Sequence, residues 1–182
     1  MIEKFSVKIQ GAAPLLMHRF ITSAEKPKEA KKQDRKGIVR DPAKEAQNAA
    51  YILPNGKLYQ PAEHIERAMV KAGTNYIIPG AGKKTYKDAI VGGVFIEPVC
   101  IPHLIQKFEV DVRMVRIQGA RIERARPRLD NWALEFVMTV IDERITPAVL
   151  EDILRDAGKF IGIGDYRPKF GRFEVVSFKA VK

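Results

Sequence analysis

The chain has 182 residues and a formal net charge of +10, and 46% of its residues are hydrophobic. These values predict a single domain with an apolar core, and no apolar run approaches the ~18 residues of a membrane-spanning helix. Cys100 is the only cysteine, which excludes an intramolecular disulfide, and the N-terminus lacks the apolar stretch of a signal peptide. We therefore expect a cytoplasmic protein. Its positive charge favours a polyanionic partner, and a generally basic soluble protein is the alternative.

The N-terminal part predicts a strand, a basic loop and a short helix. Apolar and polar residues alternate over EKFSVKIQ, in a strand that ends at Gly11, and the apolar segment PLLMHRF follows. The stretch from Glu25 to Asp41 is rich in lysine and arginine and has no apolar periodicity, which predicts a mobile loop. Asp41 and Pro42 then suit the N-cap and first position of a helix over PAKEAQNAA.

The middle of the chain predicts a hairpin turn, a helix and a strand. YILPNGKLY indicates two short strand pieces around the turn residues Asn55 and Gly56. QPAEHIERAMVKAG has helical spacing of its apolar residues, which are Ile65, Ala68, Met69 and Ala72. IVGGVFIEPVCIP is interpreted as a strand interrupted by Gly92 and Gly93.

The C-terminal part predicts a hairpin, a strand, a helix and a last strand. RMVRIQGARIERARPR forms an arginine-rich β-hairpin that turns at Gly119, and WALEFVMTVID is a strand. Thr146 and Pro147 begin a helix, and FEVVSFKAV closes the chain as a strand. The resulting fold class is α+β, with a ferredoxin-like (RRM-like) βαββαβ core in which two helices cover an antiparallel sheet. One domain spans residues 1–182, with insertions at about 22–48 and 103–130 that hold the basic loop and the hairpin.

The segment GIGDYRPKFGRF, between the last helix and the last strand, combines glycines with cations and aromatic residues. Glycine permits positive φ and close approach, so backbone N–H groups could converge on phosphate oxygens. The cations are Arg167, Lys169 and Arg172, and the aromatic residues that could stack on bases are Tyr166, Phe170 and Phe173. The alternative is a plain connection, with Gly162 as helix cap and Phe170 in the core. For Phe173 a core position is favoured.

His18 and Arg19 lie in PLLMHRF, just after the first strand. If the first and last strands are neighbours in the sheet, this segment lies near the glycine-containing loop, and both side chains could face the same ligand. The alternative is that His18 is a surface or hydrogen-bonded histidine.

Two segments resemble the RAMP superfamily of CRISPR-associated proteins. GIGDYRPKFGRF is similar to that family's spaced glycines, basic residue and final Gly–basic–aromatic before a strand. LYQPAEHIERAMVKAG resembles the family's helix opening, although Glu63 and His64 stand where small polar residues are usual. Within the superfamily, the resemblance is best to CRISPR backbone subunits, which polymerise along guide RNA and carry a thumb-like hairpin. The chain is interpreted as a small, divergent relative, with a phage or mobile element as one conceivable source.

These features predict a protein that binds single-stranded nucleic acid, RNA or DNA, with little sequence preference. Cooperative assembly along the strand, as a homo-oligomer or filament, is expected from the resemblance. The predicted binding residues are His18, Arg19, Lys31, Lys32, Arg35, Lys36, Arg67, Arg116, Arg121, Arg124, Arg126, Gly162, Gly164, Tyr166, Arg167, Lys169, Gly171 and Arg172.

No catalytic residue, metal site or cofactor is predicted, because the three histidines are scattered in the sequence and no metal-ligand spacing, nucleophile elbow or Walker loop is present. Two alternatives to a binding protein stay open. The first is a structural subunit whose basic loops contact an acidic protein. The second is a RAMP-type endoribonuclease, which would use a histidine or a loop aspartate, nominally Asp34 or Asp41.

Overall fold

The computed structural model describes residues 2–20, 41–117 and 119–181. Its strands are β1 (Glu3–Gly11), β2 (Leu15–Leu16), β3 (Tyr59–Pro61), β4 (Val94–Glu97), β5 (Cys100–Pro102), β6 (Glu109–Ile117), β7 (Ala120–Leu129), β8 (Ala133–Val140) and β9 (Phe173–Val181). Its helices are α1 (Pro42–Ala49), α2 (Ala62–Gly73), α3 (Lys87–Gly93) and α4 (Pro147–Asp156), and α4 continues into a π-helical turn, Ala157–Ile161. None of the described helices is long and apolar enough to cross a bilayer.

The central sheet has the strand order β4-β8-β1-β9, with every neighbouring pair antiparallel. Strand β1 is paired on both sides, with β8 and with β9, and its last residue Gly11 lies opposite Phe173 at the start of β9. Helix α2 follows β1 in the chain and α4 follows β8, so the order of core elements is that of a ferredoxin-like fold. The predicted fold class is confirmed. Because β1 and β9 are neighbours, the end of β1 lies beside the start of β9.

The core lies between this sheet and the two helices. Phe5, Val7 and Ile9 of β1 are at most 4% exposed, as their alternation predicts. The helices contribute apolar residues at helical spacing, namely Ile65, Ala68, Met69 and Ala72 from α2 and Leu150, Ile153 and Leu154 from α4, all at most 1% exposed. The buried stripe on each helix therefore fixes which face it turns to the sheet.

Helices α1 and α4 both begin at a predicted N-cap. The Asp41 side chain accepts hydrogen bonds from the N–H groups of Ala43 and Lys44, at 3.0 and 3.2 Å. The Thr146 hydroxyl accepts from the N–H of Val149 at 3.4 Å. These side chains satisfy N–H groups that have no partner within the helix. The Asp41 carboxylate therefore has a structural role at the start of α1.

The interpretation of IVGG as part of a strand is wrong. These four residues form the second half of α3, and the strand begins only at Val94, which pairs with Val140. The helix buries Ala89, Ile90 and Gly93, a spacing that fits one helical face. A side chain at Gly93 would begin 2.5 Å from Cβ of Asp142, so this glycine permits close packing of the helix end. A run of only seven residues carries too little periodicity to show its helical character.

The arginine-rich hairpin is confirmed, with β6 and β7 paired along their length and Gly119 in the turn at φ +87°. Its base does not project freely. Strand β7 also pairs with β2, where Leu15 lies opposite Leu129, and α1 packs against β7 with Ala46 fully buried. The hairpin is therefore one side of a second, three-stranded sheet, and its base is joined to the segment that follows β1.

Candidate nucleic-acid interface

The glycine loop, residues 162–172, folds back on its own chain. Asp165 N–H donates to the carbonyl oxygen of Leu16 at 2.9 Å, and Gly171 N–H donates to that of Pro14 at 2.8 Å. The N–H groups of Gly162, Ile163 and Tyr166 also donate to acceptors within the chain. The prediction that this backbone presents its N–H groups to phosphate is therefore wrong for these five residues.

The loop glycines serve close packing instead. Gly164 has φ +77°, and a Cβ there would lie 2.5 Å from the carbonyl oxygen of Leu16. Gly171 has φ +71°, and a Cβ there would overlap the carbonyl oxygen of Ile163. Gly162, also at positive φ, ends the π-helical turn, which is the cap position named as the alternative. The loop can thus lie directly against β2, with residues 166–169 exposed at its tip.

The aromatic residues of the loop divide between core and surface. Phe170 is 6% exposed and Phe173 is 1% exposed, so base stacking on Phe170 is wrong and the core position of Phe173 is confirmed. Tyr166 is 40% exposed and has φ +58°, an unusual conformation for a residue other than glycine. Guanidinium groups of the hairpin lie over two of these rings: Arg113 is 4.6 Å from the centre of Phe170, and Arg126 is 5.3 Å from that of Tyr166.

Asp165 joins the glycine loop to two other parts of the chain. Its Oδ2 lies 3.5 Å from Nδ1 of His18 and 2.5 Å from Nε of Arg126. The Arg126 contact has the distance of an ion pair without the alignment of a hydrogen bond. The interaction with His18, the N–H of Tyr166 and the charge of Arg126 together lower the pKa of Asp165 to about 2. The proximity of His18 to the loop, expected from neighbouring first and last strands, is confirmed.

Tyr51 lies between the start of helix α2 and the segment that contains His18. The Tyr51 hydroxyl donates to the carbonyl oxygen of His18 at 3.4 Å, and its ring packs edge-on against His64 at 5.5 Å. Two of the three histidines, far apart in the sequence, therefore both contact Tyr51. Burial is the main cause of the raised pKa of Tyr51, and the positive charges of Arg19 and Arg67 oppose it. Both arginines therefore lie within electrostatic range of this ring.

His64 lies within electrostatic range of the glycine loop. Burial, followed by the positive charges of Arg167 and Arg67, lowers the pKa of His64. Its Nδ1 lies 2.5 Å from the amide nitrogen of Gln60, so that ring nitrogen already has a partner. Because Arg167 belongs to the loop and Arg67 to α2, the two cations act on one point of the surface. His64 is therefore suited to stay neutral, packed against Gln60 and Tyr51.

The hairpin arginines fall into two groups. Those near the base face acids: Arg113 contacts Asp111 at 2.5 Å, Arg124 contacts Glu45 at 3.1 Å, and Arg128 contacts Asp130 at 2.6 Å. Arg116 and Arg121 lie opposite each other near the turn, and neither has an acidic partner among the described residues. Like charges directly opposite on a hairpin repel, so a bound anion would stabilise this pair.

The structure brings five of the predicted binding residues together. Four of them reach the surface, and we call these four the basic face: His18, Arg19, Arg67 and Arg167. The fifth, Arg126, is buried against Asp165. Arg172 lies elsewhere, in a cleft beside β9 that Arg155 and Lys159 also line. Lys31, Lys32, Arg35 and Lys36 fall outside the described residues, as does most of the loop predicted to be mobile. No group of three or more His, Cys, Asp or Glu in the described ranges is placed to hold a metal ion.

Two residues of this region were missed from the sequence, Tyr51 and Asp165. Tyr51 precedes the hairpin turn in the chain, and no local pattern links it to His18 or His64. Asp165 stands inside the glycine motif, where an acid among cations was a visible signal that the loop is partly neutralised. Its partners come from β7 and from the segment after β2, and only the tertiary structure shows them.

No protein-family model and no curated protein matches the sequence. Among solved structures, the chain is similar to one in the cryo-EM structure of the type III-B Cmr-beta bound to cognate target RNA. The two chains are 14% identical, with a TM-score of 0.59. The match covers 100% of this chain but 61% of the other, so the present chain spans less than two thirds of that neighbour. At this identity the similarity establishes a shared fold, which agrees with the RAMP-like architecture expected from the motifs.

Proposed function

We propose that the chain binds single-stranded nucleic acid, RNA or DNA, through the basic face. The observation that carries the proposal is the convergence of three separate segments on one surface. The segment after β2, the start of α2 and the glycine loop each supply at least one cation there, and the loop is held in place by Asp165. A structural connection would not need this concentration of positive charge, whereas phosphate binding uses it directly.

The kind of nucleic acid follows from the shape and chemistry of the surface. Arginine guanidinium groups can form paired hydrogen bonds to phosphate and stack on bases. The partly exposed ring of Tyr166 lies over the buried guanidinium of Arg126, and the next residue, Arg167, is exposed, so a stacking surface and a positive charge are adjacent. The described cations of the basic face come from different segments of the chain. They do not line a single projecting helix of the kind that enters the groove of a duplex. These features support single strands and contacts to the backbone, with little base preference.

The structural comparison is consistent with this proposal. The neighbouring chain comes from a complex bound to target RNA, and it shares the ferredoxin-like fold that positions the basic face here. Binding of RNA and DNA strands of the same sequence, compared side by side, distinguishes the two kinds of nucleic acid.

The proposal is tested by fluorescence anisotropy with labelled single strands of unrelated sequence, as RNA and as DNA. We expect binding that weakens steeply with salt, with dissociation constants within about a hundredfold of one another (roughly 2.7 kcal/mol). A raised ratio of absorbance at about 260 to 280 nm in the purified protein would show nucleic acid carried through purification. If no strand binds at low salt, the proposal is wrong and an acidic protein partner becomes the better explanation.

We further propose that several copies bind cooperatively along one strand. Arg116 and Arg121 near the hairpin turn lack acidic partners in the described chain, and they lie at the end of the hairpin away from β2, which pairs with β7 only at Arg128 and Leu129. They are thus placed to reach a neighbouring copy or its bound strand. Titration of a strand of about 40 nucleotides should give a sigmoidal isotherm and several copies per strand. Independent sites, each filled with the same affinity, would contradict this part.

The chain is proposed to bind without cleaving. His64 is turned inward against Gln60, and Asp41 caps α1, so two of the groups considered for catalysis have structural roles. His18 remains more than half exposed and is oriented by Asp165. Incubation of labelled RNA with the protein, followed by gel analysis, distinguishes the two functions. Intact RNA is expected, whereas cleavage abolished by His18→Ala would establish the endoribonuclease alternative.

A further inference from the structure

Phe160 is a large aromatic residue that the fold leaves on the surface. Its side chain is 60% exposed, and the ammonium group of Lys159 lies 5.1 Å from the ring centre. The residue sits in the π-helical turn, two positions before the glycine loop begins. We propose that Phe160 is a base-stacking residue that extends the nucleic-acid site beyond the basic face. This inference rests on the proposed function.

The exposure of Phe160 has a structural cause. It follows Ile153 by seven residues, close to two turns of an α-helix, and Ile153 is fully buried. An uninterrupted α-helix would therefore turn Phe160 towards the core. The π-helical turn accommodates one more residue, as the 2.8 Å hydrogen bond from Gly162 N–H to the carbonyl oxygen of Ala157 shows. This extra residue rotates Phe160 away from the buried face and into solvent.

The π-helical turn is held by a close contact with β9. Ala157 is fully buried, and Gly158 lies against Phe173 so closely that a Cβ at residue 158 would be 2.7 Å from the aromatic ring. The turn is thus built into the packing and does not depend on a ligand. An exposed aromatic ring held by a rigid backbone suits stacking, because little conformational entropy is lost when a base binds. π-Helical turns of this kind often mark functional sites.

Lys159 places a positive charge beside the ring and also lines a neighbouring cleft of mixed charge. Lys159 lines an open cleft of about 600 Å³ together with Arg155 and Arg172. Acids also line the cleft, and they are Asp152, Asp156 and Glu174. A nucleotide has groups that complement this surface. Its base can stack on the ring, its phosphate can pair with the cations, and its base or sugar donors can hydrogen-bond to the carboxylates. An apolar protein segment would use the ring but would remove the charged side chains of the cleft from water, which is unfavourable.

Phe160→Ala tests the stacking role in the full-length protein with a single-stranded oligonucleotide. Affinity should fall about tenfold, while the slope of binding against salt stays unchanged, because stacking releases no counterions. Phe160→Tyr should bind like the wild type. Val91→Ala is the matched control, since Val91 is 62% exposed on α3 and should not affect binding. If wild type and Phe160→Ala bind with equal affinity and have equal melting temperatures, the inference is wrong. That result would not contradict binding through the basic face.

A second measurement does not depend on loss of affinity. The native Trp132 is 1% exposed, so Phe160→Trp introduces a surface tryptophan against a buried background. Stacking of a base should quench the emission of the new tryptophan when the strand is added. If the strand binds with wild-type affinity but the emission does not change, the ring does not contact a base. If the wild-type protein binds no strand, the proposed function itself is wrong. This result can be told apart from a failure of the stacking role, in which the wild type binds but Phe160 does not contribute.

Discussion

Replacement of Asp165 by asparagine should loosen the attachment of the glycine loop to the hairpin. The pKa of Asp165 falls from 3.8 to about 2 in the folded protein, chiefly through the interaction with His18 and then through the Tyr166 N–H and the charge of Arg126. A change of this size corresponds to about 2.5 kcal/mol of stabilisation of the ionised form. Because the Asp165 side chain is 29% exposed, solvent screens part of this energy, and we expect Asp165→Asn to cost about 1 to 2 kcal/mol.

The stabilisation by ionised Asp165 should depend on pH in a defined direction. The folded-state pKa lies below the unfolded value, so the stabilisation is complete above the unfolded pKa and is lost as the pH falls towards about 2. Urea unfolding of both proteins should therefore show the full difference near pH ~7 and a smaller one near pH ~3. Asp130→Asn is the control, because Asp130 makes a more exposed ion pair with Arg128. A difference that is absent at neutral pH, or constant down to pH ~3, would refute the role of the ionised carboxylate.

Three further predictions concern the glycine loop, α4 and the hairpin. Gly164→Ala should lower the free energy of unfolding by about 2 to 4 kcal/mol in a denaturant titration, because φ is positive and the new Cβ would meet the Leu16 carbonyl. Thr146→Ala should cost about 1 kcal/mol by the same measurement, through loss of the N-cap. Arg116→Gln combined with Arg121→Gln should change stability by less than about 0.5 kcal/mol but reduce the salt slope of strand binding. A wild-type salt slope would place these two arginines outside the bound strand.

The core of the fold could be predicted from the sequence because its signals are local. Alternation in β1 and β8, and the apolar stripes of α2 and α4, each specify an element and its buried face within a dozen residues. The order of these elements then matches one common topology. Helix α3 was missed because its local signal is misleading. Seven residues that end in two glycines resemble an interrupted strand more than a helix.

The site was predictable in its residue types but not in its contacts. The glycine loop, His18 and Arg67 were recognisable as separate motifs, and the pairing of β1 with β9 brings the first two together. The sequence did not show that Asp165 neutralises Arg126, or that Tyr51 lies between His18 and His64. The contacts of Asp165 with Arg126 and of Tyr51 with His18 join residues more than thirty positions apart, so they depend on the tertiary structure. The role of the glycines was misassigned because close approach to a ligand and close approach to β2 require the same absence of a side chain.

A salt titration of single-strand binding tests the central proposal most directly. Arg67→Gln combined with Arg167→Gln removes two cations that both act on His64, and Lys87→Gln combined with Lys179→Gln removes two exposed lysines from outside the basic face. Lys179 lies opposite Ser6 near the start of β1, at the other end of the sheet from the glycine loop. The arginine variant should lower the slope of log K against log salt by about 1.4, at about 0.7 per phosphate contact, while the lysine variant keeps the wild-type slope. Equal slopes for all three proteins, at equal melting temperatures, would contradict binding through the basic face.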